Sequence, residues 1–282
     1  MHNILEVKIV QNSLDHPECL TFGRDGRLYA GGEAGQIYRI DIEKGTCEGM
    51  ANLGGFLCGV TVDGNDNVYV CNTKTRRVER VYADGTSATF SDEADGRALE
   101  NPNFCVFHPS GDLFLTDSGD YRHATGRLIR IHPDGAAESM LGNHLNFPNG
   151  LALSADAATL YMIESTSTKI SRMAIQNDGS LSAPETYVQL QGSVPDGMAF
   201  DRLGNLYVGC FTPDVIFCVD TNRNVSTLIE DKTSEVVNRP TNVAFRPVEG
   251  DTNLYFANLG WWHIGSLDVG VTGQPLNYPR LR

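Results

Sequence analysis

The apolar residues of this chain come in short runs, and six of these runs recur at nearly constant spacing. The residue directly before each of the six runs is called a marker here; it is Glu, Asn or Asp in five of the six cases, and successive markers are 41 to 47 residues apart. A period of forty-odd residues is typical of repeat architectures. The pattern therefore predicts one structural unit repeated six times. The markers are Glu18, Gly59, Asn103, Asn149, Asp196 and Asn242.

Each repeat begins with the pattern of a β-hairpin. Residues typical of strands follow the marker, and after a turn comes Leu or Val with an aromatic neighbour, as in Leu28-Tyr29 and Val68-Tyr69. The turns contain Gly, Asp and Asn, which accept the positive φ of tight hairpins. Further strand-like segments, such as residues 36–40, complete four strands per repeat. Six such units predict an all-β, six-bladed β-propeller with four-stranded antiparallel blades and no open sheet edges.

The two ends of the chain are expected to meet in one blade. The sixth repeat has no convincing fourth strand, whereas residues 5–10 alternate apolar and polar side chains before the first repeat. We expect this N-terminal strand to pair into the last blade and close the ring. Because the repeat runs nearly end to end without a linker, the sequence predicts one domain over residues 1–282.

Composition and charge indicate which binding partners and which cellular compartment to expect for this protein. The net charge of −13 disfavours nucleic acid, because its phosphates would be repelled. The seven cysteines are odd in number and show no CxxC spacing, which indicates free thiols in a reducing compartment. No secretory signal and no apolar run of membrane-spanning length is present. The sequence predicts a cytoplasmic protein without nucleic-acid or membrane partners.

The propeller geometry gives the markers a location. The first strand of a blade lines the central channel, so the residues that precede the six first strands form a ring at one mouth. The loops between second and third strands surround the same mouth, because the second strand runs antiparallel to the first. These loops carry Tyr121, His123, Trp261 and His263, which we expect to contact a substrate.

The ring residues have the chemistry of metal ligands. Two carboxylates with neutral amide oxygens form the set that Ca²⁺ prefers, with Mg²⁺, Mn²⁺ or Zn²⁺ as alternatives. We expect Glu18, Asn149 and Asp196 to bind the cation, Asn103 to be a fourth ligand or to act through water, and Gly59 to leave space. The competing interpretation is that Asn and Asp merely begin strands through turn hydrogen bonds.

A divalent cation with open coordination positions favours hydrolysis. It polarises a carbonyl or phosphoryl oxygen and lowers the pKa of bound water. Asp196 is then the candidate catalytic residue. The residue pattern leaves open whether it acts as a general base toward water or as a direct nucleophile.

Three strings of the sequence resemble a known family. Residues 101–103 read NPN, residues 147–154 read FPNGLALS and residues 194–201 read VPDGMAFD. These strings resemble the gluconolactonase, senescence-marker-protein and luciferin-regenerating-enzyme family over nearly the whole chain. The resemblance implies a six-bladed propeller with a divalent cation and lactone hydrolysis, with Glu18, Asn149 and Asp196 as ligands. Diisopropylfluorophosphatase, a related calcium propeller, has a similar Glu/Asn/Asn/Asp ring, which places Asn103 near the metal.

The sequence departs from the family at one point. Members of the sugar-lactone branch place Arg two residues before the Asn103 position and often Asp after it, whereas Asn101 and Phe104 stand here. We expect Asn101, Asn103 and Phe104 to contact a small-molecule lactone or ester, and a less polar one fits as well as a sugar lactone. The prediction is a metal-dependent, lactonase-type hydrolase. The alternatives are another metal-dependent esterase or phosphotriesterase, a non-catalytic binding propeller, or condensation of the strictosidine-synthase type.

Overall fold

Six four-stranded antiparallel sheets form the protein. The computed structural model describes residues 1–281, and Arg282, the last residue of the predicted domain, lies outside the described residues. In five sheets the strands follow one another in chain order, and the sixth takes its outer strand from the N-terminus. The prediction of a six-bladed β-propeller is confirmed. No helix within residues 1–281 combines the length and the apolar character needed to cross a membrane.

The first half of the chain forms blades 1 to 3. It begins with a 3-10 helix (Ile4–Glu6) and with β1 (Lys8–Gln11), which belongs to blade 6. Blade 1 comprises β2 (Cys19–Phe22), β3 (Leu28–Gly31), β4 (Gln36–Asp41) and β5 (Thr46–Asn52). Blade 2 comprises β6 (Leu57–Val62), β7 (Val68–Asn72), β8 (Arg77–Val81) and β9 (Ser87–Ser91). A small hairpin, β10 (Glu93–Ala94) and β11 (Arg97–Ala98), leads to blade 3, made of β12 (Pro102–Phe107), β13 (Leu113–Asp117), β14 (Gly126–Ile131) and β15 (Ala137–Leu145).

The second half forms blades 4 to 6. Blade 4 comprises β16 (Pro148–Leu153), β17 (Thr159–Glu164), β18 (Lys169–Ala174) and β19 (Glu185–Gln189), with a 3-10 turn at Ser165–Ser167. Blade 5 comprises β20 (Val194–Phe200), β21 (Leu206–Thr212), β22 (Val215–Val219) and β23 (Val225–Glu230). Blade 6 comprises β24 (Val243–Phe245), β25 (Asn253–Ala257), β26 (Ile264–Asp268) and β1.

The N-terminal strand closes the ring as predicted, but it begins later than expected. Lys8 pairs with Ser266 and Ile9 with Gly265, so that β1 is the outer strand of blade 6. The preceding residues form the 3-10 helix instead of a strand, because the side chain of Asn3 accepts a hydrogen bond from Leu5 N and caps that turn. Blade 6 thus joins both ends of the chain.

The hydrophobic core is divided among the interfaces between blades. Each of six buried clusters draws its residues mainly from two adjacent blades, and one of them joins blade 6 to blade 1. In that cluster Phe22 contacts Tyr255 edge to face, with 4.9 Å between ring centroids. Because every interface is filled in this way, the ring is closed by packing as well as by β1.

A buried Asp organises several of the hairpin turns. Asp63 accepts hydrogen bonds from the backbone amides of Asn65 and Asn67 and from the hydroxyl of Tyr69. Asp201 makes the same contacts with the amides of residues 203 and 205 and with the hydroxyl of Tyr207. The aromatic residue of the Leu-aromatic pair therefore also fixes the turn, since its hydroxyl satisfies a buried carboxylate.

Glycines allow the innermost strands of neighbouring blades to approach closely. A Cβ on Gly59 would lie 2.4 Å from the carbonyl oxygen of Asn103, and one on Gly150 would lie 2.4 Å from that of Asp196. A Cβ on Gly197 would meet the carbonyl oxygen of Thr241 at 2.7 Å. Each of these neighbouring groups is backbone, so it cannot rotate away.

Replacing Gly59 by Ala is expected to destabilise the protein by about 3 kcal/mol, because the new methyl group overlaps a backbone carbonyl in a packed interface. Gly49→Ala is the matched control, since a Cβ at Gly49 meets no atom within 4 Å. Urea unfolding of both variants measures the difference. Equal stabilities for the two variants would contradict the close packing of blades 2 and 3.

A C-terminal strap, residues 273–281, covers the channel mouth opposite the ring. Side chains of the strap donate hydrogen bonds to carbonyl oxygens of three innermost strands, at Leu153, Phe107 and Phe22. Backbone contacts tie it to blades 5 and 2 through Phe200 and Gly64. A cavity of about 90 Å³ lies between the strap and the innermost strands. The strap therefore forms hydrogen bonds to five blades and covers this mouth, a role that no sequence pattern indicates.

Candidate active site

The hairpin register defines the ring position in every blade. Phe22 pairs with Leu28 in blade 1, and the equivalent pairs hold in the other five blades. The ring residue lies four positions before the first member of each pair. Counted in this way, the ring consists of Glu18, Cys58, Asn103, Asn149, Asp196 and Thr241.

Two of the six sequence markers therefore lie one residue beyond the ring. Gly59 does not leave space for a substrate, because its missing side chain makes room for the backbone of blade 3. Asn242 lines the cavity beneath the strap. The ring positions of these two blades are occupied by Cys58 and Thr241, which have no carboxylate or amide to mark them in the sequence.

Five of the ring residues form the floor of one cavity. The cavity measures about 290 Å³ and opens at the mouth opposite the strap. Its floor consists of Glu18, Cys58, Asn103, Asn149 and Asp196, each with 6% or less of its surface exposed. The structure thus brings together the four residues predicted to bind a metal. Their role as ligands stays a prediction.

The amide oxygens of the floor have no hydrogen-bond donor. Asn149 Nδ2 donates a hydrogen bond to Ser165 Oγ at 3.3 Å, whereas Asn149 Oδ1 is buried without a hydrogen-bond partner. Asn103 Oδ1 is also buried without a partner. Buried polar atoms are nearly always paired in folded proteins, so two unpaired oxygens at one cavity indicate that water or a cation contacts them there.

The floor carboxylates lie in an unfavourable environment for negative charge. Burial, followed by the charge of Asp196, raises the pKa of Glu18 well above its usual value. Burial also raises the pKa of Asp196 to about 8, although the neighbouring amide of Asn149 acts in the opposite direction. A bound cation would reverse these effects, because it stabilises the charged form of both groups.

Hydrogen bonds between blades hold the backbone of the floor. Thr241 Oγ1 donates to the carbonyl oxygen of Glu18 at 2.8 Å, and Thr116 Oγ1 donates to that of Asn149 at 2.9 Å. Ser165 Oγ donates to the carbonyl oxygen of Pro195, the residue before Asp196, at 2.7 Å. These contacts fix the positions of the ligand candidates before any ion binds.

The donor set fits a hard divalent cation. Two carboxylates and two unpaired amide oxygens are the ligands typical of Ca²⁺, and they leave coordination positions for water or substrate. Cys58 adds a thiol to the floor, but burial and the charge of Glu18 raise its pKa well above the usual value. The thiol is therefore neutral at physiological pH and is a weak ligand.

A second acidic cluster lies outside this cavity. Ligand atoms of Asp15, His16 and Glu33 lie within 4.8 Å of one another. However, Trp262 Nε1 donates a hydrogen bond to His16 Nε2 at 2.7 Å, so the proton of a neutral His16 is on Nδ1, which faces both carboxylates. Both ring nitrogens of His16 are therefore engaged by Trp262 and Asp15, which leaves no free lone pair on His16 for a metal.

The predicted substrate contacts divide into two groups. Asn101, Asn103 and Tyr121 line the cavity. Phe104 follows the ring residue on β12 and lines the cavity beneath the strap instead. The other three predicted contacts, His123, Trp261 and His263, do not line the cavity.

Local contacts explain where these three side chains lie. His123 is exposed and bonded to Asp120. Trp261 Nε1 donates to the carbonyl oxygen of Ser234, and His263 Nε2 bonds to that of Val236. Burial lowers the pKa of His263, which favours its neutral form. The two aromatic residues of this loop thus anchor it to the segment after β23.

The cavity wall contains residues that the sequence analysis did not select. Three of them, Phe56, Phe147 and Val194, stand two positions before a ring residue, as Asn101 does. Phe211, near the end of β21, and Leu259, in the loop after β25, also line the cavity, and no local pattern distinguishes them from core residues. Counting back two residues from the correct ring positions identifies the first three.

Comparison with known proteins agrees with this architecture. Residues 16–258 match the family described as SMP-30/Gluconolactonase/LRE-like region. The chain belongs to this family.

Individual relatives are distant. The lactonase drp35 of Staphylococcus epidermidis is 24% identical over 211 residues, which span 69% of this chain and 63% of that protein's length. The structure of a gluconolactonase from Xanthomonas campestris is 21% identical, with a TM-score of 0.79 over 95% of this chain and 93% of the other. Regucalcin from Agrobacterium tumefaciens, a calcium-binding protein, is 15% identical, with a TM-score of 0.77 over 97% and 96%. Both structures share the fold of this chain.

Proposed function

We propose that this protein hydrolyses lactones to hydroxy acids, and that Glu18, Asn103, Asn149 and Asp196 hold a divalent cation for this reaction. One observation carries the proposal: two buried carboxylates and two unpaired amide oxygens converge on the floor of a single cavity. Membership of a family whose description includes gluconolactonase supports the reaction class, and so does the similarity to a lactonase and to a gluconolactonase. Ca²⁺ is the first candidate because of the all-oxygen donor set, and the calcium-binding neighbour agrees.

The cation and Asp196 have different roles in the proposed reaction. When bound, a divalent cation supplies polarisation of the carbonyl oxygen and a lowered pKa for water. Asp196 acts as the general base: it takes a proton from water while the water oxygen forms a bond to the lactone carbonyl carbon. The ring C–O bond then breaks, and Asp196 returns the proton to the departing oxygen. Lactone and water are thereby converted to a hydroxy acid without any other reactant.

An isotope experiment distinguishes this role from nucleophilic attack by Asp196. In a single turnover in ¹⁸O-labelled water, a general base directs the label into the product. A nucleophilic Asp196 would form a mixed anhydride with the opened lactone, and attack of labelled water on the aspartyl carbon of that anhydride would place the label in Asp196. Label found by mass spectrometry in the peptide that contains Asp196 therefore identifies the nucleophilic route, whereas label in the product alone agrees with a general base.

The cation requirement is tested on protein treated with a chelator. We expect such protein to lose lactone turnover, and Ca²⁺ to restore it by at least about a hundredfold. Alkyl, aromatic and sugar lactones are assayed with Ca²⁺, Mg²⁺, Mn²⁺ or Zn²⁺, and the melting temperature is recorded with each ion. Turnover that is equal with and without ions contradicts the role of the cation. A rise in melting temperature without hydrolysis of any lactone indicates a binding propeller instead.

A further inference from the structure

Above the polar floor, the wall of the cavity is mainly apolar. Within residues 1–281, the side chains that line it include no Lys, Arg or His, and its carboxylates are confined to the floor. Thr73, Asn101 and Ser165 add neutral polar groups, and Ser165 already hydrogen bonds with Asn149 and Pro195. The apolar and aromatic members of the wall are Phe56, Tyr121, Phe147, Val194, Phe211 and Leu259.

The apolar character is concentrated next to the reacting centre. Phe56, Phe147 and Val194 each stand two residues before a ring position, so they form a tier directly beside the floor. The fourth cavity-lining member of this tier, Asn101, is uncharged. A polyhydroxylated ring in this position would press hydroxyl groups against aromatic and aliphatic carbon, and each hydroxyl without a partner reduces binding by about tenfold.

Neighbouring groups hold the aromatic wall in place. Tyr121 packs edge to face on Phe147, with 5.0 Å between ring centroids. The guanidinium of Arg239 lies 4.7 Å from the ring centroid of Phe211. The apolar surface is therefore formed before a ligand arrives, which favours binding of a ligand with a matching apolar surface.

We propose that the substrate is an uncharged lactone with an alkyl or aryl substituent and few or no hydroxyl groups. This inference rests on the proposed lactonase function. The carbonyl group of the lactone faces Asp196 and the amide oxygens of the floor, and the substituent lies against Phe56, Phe147 and Phe211. A cavity of about 290 Å³ has room for a small ring with a short substituent.

A series of δ-lactones tests the substrate class, because its members share the reacting ring. The series comprises unsubstituted δ-valerolactone, δ-lactones with alkyl chains of increasing length, and D-glucono-δ-lactone, all assayed with Ca²⁺. We expect each added CH₂ to raise kcat/KM about threefold until the cavity is filled. The sugar lactone is expected to react about a hundredfold more slowly than the best alkyl lactone.

The outcomes separate this inference from the function on which it rests. Preference for the sugar lactone, or no dependence on chain length, overturns the apolar substrate class and leaves lactone hydrolysis standing. No turnover of any member overturns both proposals. A rate that rises with chain length supports both.

Wall variants provide a second measurement. Phe56→Asn is expected to flatten the dependence on chain length and to raise KM for the alkyl lactones, with the largest effect on the longest chains. Tyr121→Ser is the second variant in case Phe56→Asn does not fold, since more than half of the Tyr121 side chain is exposed. Leu203→Asn, in the exposed turn before β21, is the matched control. Unchanged chain-length dependence in a folded wall variant overturns the inference.

Discussion

Replacing Asp196 by Asn is expected to reduce kcat/KM for lactone hydrolysis about a thousandfold, because the variant keeps the shape of the side chain but loses the basic oxygen. Asp196 lies on the cavity floor with 6% of its surface exposed. Thermal unfolding should show a folded variant. The rate is measured with saturating Ca²⁺, so that weaker ion binding does not account for the loss.

The matched control is Asp120→Asn. Asp120 lies in the loop after β13, is exposed, and contacts His123 rather than the cavity. Its replacement should leave turnover within about twofold of the wild type, as expected for a surface position. An Asp196→Asn variant that is folded and as active as this control would refute the assignment of Asp196 as the base.

In the absence of cations, the protein is expected to lose stability as the pH rises from about 5 to 9. Burial, joined by their mutual repulsion, raises the pKa of Glu18 well above its usual value, and burial raises that of Asp196 to about 8. In the unfolded chain both groups release their protons near pH 4. Between these limits the unfolded state binds fewer protons than the folded state, so the free energy of unfolding falls with rising pH. Melting temperatures recorded across this range with a chelator measure the effect.

Calcium should restore stability at the upper end of the range, since under the proposed function it binds the two carboxylates in their charged form. Glu18→Gln removes one of the charges and is expected to flatten the pH dependence and to weaken the response to Ca²⁺. Glu33→Gln is the matched control, because Glu33 is exposed and outside the cavity. If the two variants have the same pH profile as the wild type, the buried carboxylate pair does not govern stability.

The fold was predictable because its signals are local and repeated. The apolar-aromatic pairs and the turns between strands recur in all six blades, and in blades 2 and 5 the buried turn carboxylates Asp63 and Asp201 are satisfied by the aromatic hydroxyl of their own hairpin. The outer strand from the N-terminus was visible as an alternating segment. The strand starts at Lys8 rather than at Leu5, because the capped turn at Asn3 competes with it.

The floor of the cavity was predictable where a conspicuous side chain marks it. Glu18, Asn103, Asn149 and Asp196 stand out beside apolar runs, whereas Cys58 and Thr241 do not. In blades 2 and 6 the sequence markers Gly59 and Asn242 therefore lie one residue after the true ring position, which only the register of the hairpins shows. The sequence did not show that Gly59 is required by the backbone of the next blade, because that contact joins residues 44 positions apart.

The wall of the cavity and the C-terminal strap were the least predictable parts. Phe56 and Phe211 differ in no local pattern from core aromatic residues, and only the closed ring shows that they face an opening. The strap has no repeat signature, because single side chains such as Gln274 and Tyr278 bond to carbonyl groups of distant blades.

The strap also limits how small molecules enter and leave the propeller. Because residues 273–281 cover the opposite end of the channel, the cavity above the ring has one opening. Under the proposed function, a lactone and the hydroxy acid formed from it would pass through the same opening in turn. The product would therefore compete with incoming substrate, and its carboxylate, released beside the proposed cation, would leave slowly.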